Sequence, residues 1–244
     1  PYMNRGYMVT IPEGLNISQI ARLLNRYIII DSAKFVNETF NDSLIKVLGV
    51  DAINLEGFLF PDTYQFSFSG DFTREKVIVK IMFEQFRKKF NAEMYKEMKS
   101  KKMKLKDVIT MASIIEGETR HLPEMKTISG VYYNRLRKGM RLEADPTVQY
   151  ALPNGPKRRL TYNDLKYPSP YNTYLNRGLP PGPINNPGLN SITAALHPEK
   201  HKYLYFVAKG DGTHKFAESY DEHKKNVEEY RKLQEEAEEK RSEP

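Results

Sequence analysis

Glu116 is the residue whose type and position could most directly do chemistry. It belongs to residues 108–119, whose apolar residues recur at the spacing of an amphipathic helix. On a helical wheel the broad apolar arc holds Val108, Ile109, Met111, Ala112 and Ile115, and the other side holds Thr110, Ser113 and Gly117. Glu116 falls inside the apolar arc. A carboxylate there is poorly solvated, which favours the protonated form that a general acid needs near neutral pH.

The same position allows a structural interpretation. A glutamate at the edge of an apolar face can extend its carboxylate to water or to a basic partner and have no chemical role. Gly117 stands next to it and favours a helix end or a close approach to the backbone. Glu118 lies roughly 200° around the helix from Glu116. The two can therefore line one cleft only if the helix ends or distorts at Gly117.

The N-terminal residues predict a small α+β lobe. Residues 7–11 form a short strand, Pro12-Glu-Gly14 a turn, and residues 17–29 an amphipathic helix. This order of strand, turn and helix resembles the first half of a LysM-type glycan-binding module. An ordinary α+β lobe gives the same pattern. Two shorter helices and a strand-rich stretch then complete the lobe, over residues 32–40, 43–48 and 55–66.

The rest of the chain predicts a larger domain that carries Glu116. Its helices are expected over residues 73–90, 93–100, 108–119, 123–138 and 191–196, with a final helix from Tyr220. Residues 203–208 and 213–217 predict a β-hairpin. Between Gly178 and Gly188 the prolines favour a stiff, irregular loop. Long structured loops of this kind are often functional.

The composition of the chain argues against a metal site and favours an acidic partner. The chain has 244 residues and no cysteine, and its five histidines show no close metal-ligand spacing. We therefore expect no metal site. The net charge of +7 favours an acidic polymer as partner, such as nucleic acid, an anionic lipid surface or an anionic wall glycan. Nucleic acid is the weaker choice, because the sequence has no dense basic stripe with interleaved aromatics.

An ordered set of short motifs resembles one protein family. The motifs are Ala112-Ser-Ile-Ile-Glu-Gly-Glu-Thr119, Asn134-Arg-Leu136, Met140-Arg-Leu142, Asp145-Pro-Thr-Val148, Tyr171-Asn-Thr-Tyr174, Gly178-Leu-Pro-Pro-Gly-Pro183, Asn186-Pro-Gly188 and Tyr203-Leu-Tyr-Phe-Val-Ala208. The set is similar to that of the endolytic murein transglycosylases, also called the YceG-like family, and residues 55–64 resemble an earlier motif of that family. The resemblance extends from about residue 7 to about residue 227.

The resemblance implies a bacterial enzyme that cuts peptidoglycan glycan strands. Glu116 is the first glutamate of the family's A-S-I-[VI]-E-x-E-T motif and would be the catalytic acid. Cleavage between N-acetylmuramic acid and N-acetylglucosamine would leave 1,6-anhydro-muramic ends and terminate nascent strands, without a metal or organic cofactor. Family members work at the extracytoplasmic face of the membrane through an N-terminal anchor. No stretch of the sequence is long and apolar enough to be that anchor, so we expect attachment to the membrane from the resemblance alone. Penicillin-binding proteins or other wall synthases are the expected partners.

The same resemblance predicts the domain organisation. We expect an α+β fold in which residues 1–67 form a small LysM-like lobe with a connecting strand. Residues 68–230 would form a larger mixed α/β catalytic domain with a helix-borne acid. Residues 231–244 would be a charged C-terminal tail.

Further side chains in the motifs are candidates for substrate binding. Those that offer hydrogen bonds to sugar hydroxyl and acetamido groups are Glu118, Asp145, Thr147, Gln149, Asn172 and Thr173. Those that offer rings to stack on sugars are Tyr171 and Tyr174. Each also has a structural interpretation, and Asp145 is expected to cap a short helix whose first residue is Pro146.

Two other functions stay open from the residues. A lysozyme-type hydrolase would use Glu116 as acid and Asp145 or Glu118 as the second carboxylate that such enzymes need. A non-catalytic peptidoglycan-binding protein would use the small lobe for binding, with Glu116 as a structural residue.

Overall fold

The structure is a computed structural model that describes residues 6–49, 52–68 and 73–242, with side chains described to residue 235. The remaining residues at the ends of the predicted lobe and tail, and at the two gaps, lie outside the described residues. No helix within the described ranges is long and apolar enough to span a bilayer.

Residues 6–49 and 52–68, called the small lobe below, have a strand near each end, and the two strands pair. Strand β1 (Tyr7–Thr10) pairs antiparallel with β2 (Thr63–Phe66), so that Tyr7 faces Phe66. The helices between these strands are α1 (Ile17–Ile28), α2 (Ser32–Glu38) and α3 (Asp42–Leu48). The predicted helices are confirmed. The strand-rich expectation for residues 55–66 was largely wrong, because only β2 is a strand and the residues before it are irregular and mostly buried.

Polar caps explain where the helices of the lobe begin. Asn16 Oδ1 accepts a hydrogen bond from Gln19 N, and the Gln19 side chain accepts one from Asn16 N, both at 2.9 Å. This reciprocal pair is a capping box. Asp31 and Asn41 cap α2 and α3 through bonds to backbone N–H groups. The first turn of α1 is therefore fixed directly after the Pro12-Glu-Gly14 turn.

The larger part of the fold is mainly helical. Its helices are α4 (Arg74–Lys89), α5 (Ala92–Ser100), α6 (Leu105–Glu118), α7 (Met125–Arg137), α8 (Asp145–Ala151), α9 (Leu189–Leu196) and α10 (Tyr220–Ser242). Strands β3 (Tyr205–Ala208) and β4 (His214–Ala217) form the predicted antiparallel hairpin. This mixture of helix and small sheets agrees with the α+β class. The LysM-like character of the lobe stays a prediction.

Helix α6 is the centre of the core. It packs against α7, α8 and α9, and residues 108–115 are all buried. The expected polar side of this helix was therefore wrong. Thr110 and Ser113 are as buried as the apolar arc, because neighbouring elements cover every face. Ser113 Oγ accepts a hydrogen bond from Ile184 N at 3.0 Å, and Ser113 O accepts one from Asn185 Nδ2 at 2.8 Å.

The proline-rich loop joins the small lobe to α6, and Asn186 is its anchor. Asn186 N and Nδ2 both donate to Leu15 O at 3.0 Å. Its Oδ1 accepts from Leu59 N at 2.9 Å, and its backbone oxygen accepts from Gly14 N at 3.0 Å. Asn186 is 1% exposed. One buried side chain thus holds the turn before α1 and the segment before β2.

Glu56 completes this anchor. Its carboxyl accepts from Ile17 N at 3.2 Å and from Asn186 Nδ2 at 2.9 Å. Burial raises the pKa of Glu56 to about 8, against the opposing effect of hydrogen bonds from Ile17, Asn186, Gly57 and Tyr150. Glu56 is therefore a neutral, buried carboxylic acid at neutral pH.

Replacing Asn186 should loosen the docking of the lobe. We expect Asn186→Ala to lower the free energy of unfolding by roughly 2–5 kcal/mol, because it leaves buried Leu59 N without its partner and removes one donor each from Leu15 O and the buried Glu56 carboxyl. Denaturant unfolding monitored by circular dichroism would measure this change. Asn190→Ala removes an exposed asparagine from α9 and serves as the matched control. Equal stability of the two variants would contradict the anchoring role.

The raised pKa of Glu56 predicts the sign of a pH effect. The folded state holds the Glu56 proton up to pH of about 8, whereas the unfolded chain releases it near the ordinary value of 4.5. Its stabilising contribution is therefore complete at low pH and is lost as pH rises through this window. Between pH 5 and pH 8 the native chain should lose about 3 kcal/mol more stability than Glu56→Gln. Parallel pH dependence in denaturant titrations of the two proteins would exclude this.

Candidate active site

A cleft of about 570 Å³ lies where the small lobe meets the end of α6. The lobe contributes the turn before α1 and the start of that helix, and the larger domain contributes the end of α6, the start of α8 and the loop before α9. The residues that line it are Glu13, Gly14, Leu15, Asn16, Gln19, Glu116, Gly117, Glu118, Thr119, Arg120, Asp145, Pro146, Gln149, Tyr150, Pro156, Ile184 and Asn185. The lining combines carboxylates, amides and one tyrosine, which suits a polar ligand.

Glu116 is half-buried in the last turn of α6 and lines this cleft. Its Oε2 accepts hydrogen bonds from Gly188 N at 2.9 Å and from Ser191 Oγ at 2.7 Å. Gly188 is the N-cap of α9, so the carboxylate lies at the positive end of that helix. Within the described part of the chain, Glu116 Oε1 has no hydrogen-bond partner. One oxygen is thus fixed and the other is free to meet a ligand.

Glu118 lines the same cleft as Glu116. The helix continues through Gly117 and ends at Glu118, so the expectation that the two glutamates share a cleft only if the helix ends or distorts at Gly117 was wrong. Gly117 stays helical and makes room for α8, since a Cβ on it would lie 2.6 Å from Pro146 Cβ. Tyr132 Oη donates to Glu118 Oε1 at 2.5 Å. Burial raises the pKa of Glu118 to about 7, and the hydrogen bond from Tyr132 opposes this rise.

A second cavity of about 220 Å³ adjoins the cleft. Glu118 and Asp145 line both spaces, and the remaining lining comes from Tyr132, Arg135, Leu142, Glu143, Tyr174, Phe206 and His223. Tyr174 Oη donates to Asp145 Oδ1 at 2.7 Å. The structure therefore brings Glu118, Asp145 and Tyr174 together, and their role in substrate binding stays a prediction.

The expected cap at Asp145 was wrong. Asp145 is itself the first residue of α8, the N-cap is Ala144, and no side chain caps this helix. The Asp145 carboxylate is instead exposed and bound by Tyr174. It is therefore available to the cleft rather than committed to the backbone.

Three of the predicted sugar-contacting residues lie away from the cleft lining. Thr147, Asn172 and Thr173 are buried. Thr147 Oγ1 and Thr173 Oγ1 are 2.9 Å apart, and Ala144 N donates to Thr173 Oγ1 at 2.9 Å. Asn172 Nδ2 donates to two backbone oxygens of the preceding turn. These contacts fix the 171–174 segment against the start of α8, so the three side chains position the site from behind.

Gln149 lies at the cleft and Tyr171 lies beside it, and the side chain of each also contacts another part of the protein. Gln149 lines the cleft, but both ends of its amide bind the backbone of Lys157, at 2.7 and 3.0 Å. The Tyr171 ring packs against Tyr150 with a centroid distance of 5.0 Å. Tyr150, rather than Tyr171, lines the cleft.

Sequence reasoning missed several residues of the site. Ser191 and Gly188 bind Glu116, and Glu13 reaches the cleft from the small lobe. The prolines between Gly178 and Gly188 mark this loop as a candidate, and the loop contains Gly188. Nothing in the local sequence marks Glu13, because a Pro-Glu-Gly turn is an ordinary turn. Among the described residues, no cluster of three or more histidines and carboxylates is arranged to hold a metal ion.

Comparison with models of known protein families shows which family this chain belongs to. The model of the YceG-like family matches residues 2–229. The chain belongs to the YceG-like family. The relatives of this family member include an endolytic murein transglycosylase of Bacillus subtilis (strain 168), which is 41% identical over 92% of this chain. Another, from Streptococcus pneumoniae serotype 2, is 32% identical over 91% of the chain.

The matched relatives are longer proteins. This YceG-like chain spans 65% of the length of the Bacillus relative and 44% of the pneumococcal one. A crystal structure of a yceG-like protein from Listeria monocytogenes superposes with a TM-score of 0.80 at 39% identity, covering 90% of this chain and 75% of that one. The two proteins therefore share one fold over most of this chain.

The hydrogen bond between Tyr132 and Glu118 can be tested by titration. Tyr132→Phe removes a donor that stabilises the ionised carboxylate, so we expect the pKa of Glu118 to rise from about 7 by roughly one unit. Carbon-13 NMR of the side-chain carboxyls would measure it. Tyr133→Phe is the control, because the neighbouring Tyr133 Oη donates to Ala195 O instead. An unchanged Glu118 titration in Tyr132→Phe would contradict the geometry.

Proposed function

We propose that this chain is the catalytic part of a lytic transglycosylase that cuts peptidoglycan within its glycan strands. The names of its relatives support this activity, since each is an endolytic murein transglycosylase. The observation that carries the proposal is the setting of Glu116. One carboxylate oxygen is held by the N-terminus of α9, and the other has no hydrogen-bond partner among the described residues and lies in a cleft that a polar polymer can enter.

Glu116 acts first as the general acid. It gives its proton to the glycosidic oxygen between N-acetylmuramic acid and N-acetylglucosamine, and the bond from C1 to that oxygen breaks with its electron pair on the oxygen. The bonds from Gly188 N and Ser191 Oγ then stabilise the carboxylate that remains. Two fixed donors on Oε2 also keep Oε1 turned toward the leaving oxygen.

The same residue then acts as the general base. The C6 hydroxyl of the muramic sugar attacks its own C1, and Glu116 takes the proton of that hydroxyl, which regenerates the acid. The product is a 1,6-anhydro-muramic end, and no water is consumed. Because the nucleophile belongs to the substrate, one carboxyl group suffices where a hydrolase requires two. Cuts of this kind in a growing strand would terminate its extension.

The adjoining cavity supports cutting inside a strand. Glu118 and Asp145 line both the cleft and the second cavity, so a strand can extend from Glu116 past them toward Tyr174. Asp145 and Tyr174 offer polar contacts there, and Gln149 contributes at the rim of the cleft. Thr147, Asn172 and Thr173 support this surface from beneath.

We propose that the enzyme works at the extracytoplasmic face of the bacterial membrane, where its proposed substrate lies. We propose that a membrane anchor N-terminal to this chain holds it there, as the resemblance to the family implies. Wall synthases such as penicillin-binding proteins make the strands it would cut and are the proposed partners.

A lysozyme-type hydrolase is the second candidate, because the cleft holds further carboxylates. Glu118 and Asp145 each accept a hydrogen bond from a tyrosine on one oxygen, Oε1 and Oδ1, and a hydrolase would use one of these two residues as its second carboxylate. Hydrolysis would leave reducing ends, so the products separate the two reactions.

The test is mass spectrometry of purified glycan strands after incubation with the chain. The native protein should make new anhydro-muramic ends, and Glu116→Gln should lower their rate of formation about 10²–10⁴-fold, the usual value of acid–base catalysis. Glu93→Gln, which alters an exposed glutamate of α5, is the control and should act like the native protein.

Two results would overturn the proposal. Reducing ends from the native chain would make water the nucleophile. Strands that bind but stay intact would favour a peptidoglycan-binding role in which Glu116 is structural.

A further inference from the structure

The second cavity, of about 220 Å³, is lined by a histidine from the C-terminal helix. His223 lies in the first turn of α10, and its side chain is half-buried. The imidazole stacks on the ring of Tyr205, with a centroid distance of 5.1 Å and an interplanar angle of 20°. Its Nδ1 is buried and has no hydrogen-bond partner among the described residues. A buried polar atom without a partner is rare, and it indicates a partner that the chain does not supply.

A fixed guanidinium group lines the same cavity. Arg135 is buried, its Nε donates to Leu204 O at 2.6 Å, and its Nη1 donates to Leu142 O at 2.8 Å. Because the guanidinium is planar, these bonds also set the direction of its third nitrogen. In the part of the chain that the structure describes, Nη2 has no hydrogen-bond partner. Arg135 therefore holds one donor in place for a ligand.

The carboxylates of the cavity are already engaged. Each accepts a hydrogen bond from another residue of the lining: Glu118 from Tyr132, Asp145 from Tyr174 and Glu143 from Arg135. A ligand in this space meets one cation and several carboxyl groups, so neither an anion nor a cation finds only opposite charge. A neutral polar group fits such a lining better, because an unpaired charge is costly to bury.

The histidine can accept a hydrogen bond from such a group. Burial, and after it the charge of Arg135, lower the pKa of His223, against the opposing charge of Glu143. The imidazole is therefore neutral at neutral pH, and one of its nitrogens is an acceptor. With Arg135 Nη2 as donor, the cavity offers one donor and one acceptor. Phe206 and Leu142 add apolar surface.

We propose that this cavity is a subsite for the acetamido group of a sugar next to the cleavage point, in which Arg135 Nη2 donates to the carbonyl oxygen and His223 Nδ1 accepts from the N–H. The apolar surface contacts the methyl group. The inference rests on the proposed function, whose substrate carries an acetamido group on every sugar. The cavity joins the cleft at Glu118 and Asp145, so a strand with one sugar at the acid can place a neighbour here. Helix α10 is then part of the binding site.

Affinities for two neutral tetrasaccharides test the subsite. The β-1,4-linked tetramer of N-acetylglucosamine has acetamido groups where the β-1,4-linked tetramer of glucose has hydroxyls. His223→Phe keeps a ring to stack on Tyr205 and removes both ring nitrogens. We expect it to weaken binding of the first tetramer about 10-fold and to leave binding of the second unchanged, as measured by isothermal titration calorimetry.

The control is His197→Phe, which alters an exposed histidine that lines neither cavity and should bind both tetramers like the native chain. If His223→Phe weakens both tetramers equally, the proposal is overturned, because a purely structural role gives that result. Unchanged binding of both tetramers would overturn it as well.

A measurement on the native chain covers failure of the variant to fold. Nitrogen-15 NMR of the His223 ring reports hydrogen bonding at Nδ1, and the N-acetylglucosamine tetramer should shift this signal whereas the glucose tetramer should not. A signal that does not respond to the first tetramer, or no binding of that tetramer, would contradict the proposal. If the first tetramer binds through His223 but the native chain forms no anhydro ends, only the proposed catalysis fails. If anhydro ends form and neither measurement shows selectivity for the acetamido group, only the subsite fails.

Discussion

The docking of Asn186 between the small lobe and α6 is the interaction on which the site depends. One buried asparagine binds Gly14, Leu15, Leu59 and Glu56, so the loop before α9 cannot move without breaking the contact between the lobes. That loop ends at Gly188, where α9 begins. The start of α9 holds Glu116, and the turn beside Gly14 holds Glu13. A single network of hydrogen bonds therefore sets both the shape of the cleft and the direction of its acid.

Helix α6 shows which features of burial helical periodicity predicts and which it does not. The wheel placed Glu116 on an apolar arc, and the structure finds it half-buried at the edge of the core. The same wheel assigned Thr110 and Ser113 to a polar face that does not exist, because the proline-rich loop and neighbouring helices cover that side. Periodicity records which face is apolar, but it does not record polar groups that are satisfied by a distant segment.

The sequence did not predict the parts of the site that depend on contacts between residues far apart in the chain. Glu13 and Glu116 are separated by most of the small lobe and three helices, and only the folded chain brings them together. Asp145 was expected to cap the helix because its residue type and the following proline fit that role. Its carboxylate instead accepts a hydrogen bond from Tyr174 Oη. Thr147 and Thr173 looked like sugar ligands, yet they bind each other. By contrast, element types and most helix bounds followed from local signals such as the spacing of apolar residues.

The most direct test of the account is a crystal structure of the Glu116→Gln variant with a peptidoglycan oligosaccharide bound. We expect a strand across the cleft between the two lobes, with a glycosidic oxygen within about 3.2 Å of the side chain at position 116. We also expect the turn of Glu13 to remain docked on the loop before α9. A strand bound elsewhere on the lobe, with the side chain at position 116 still enclosed by protein, would contradict the account.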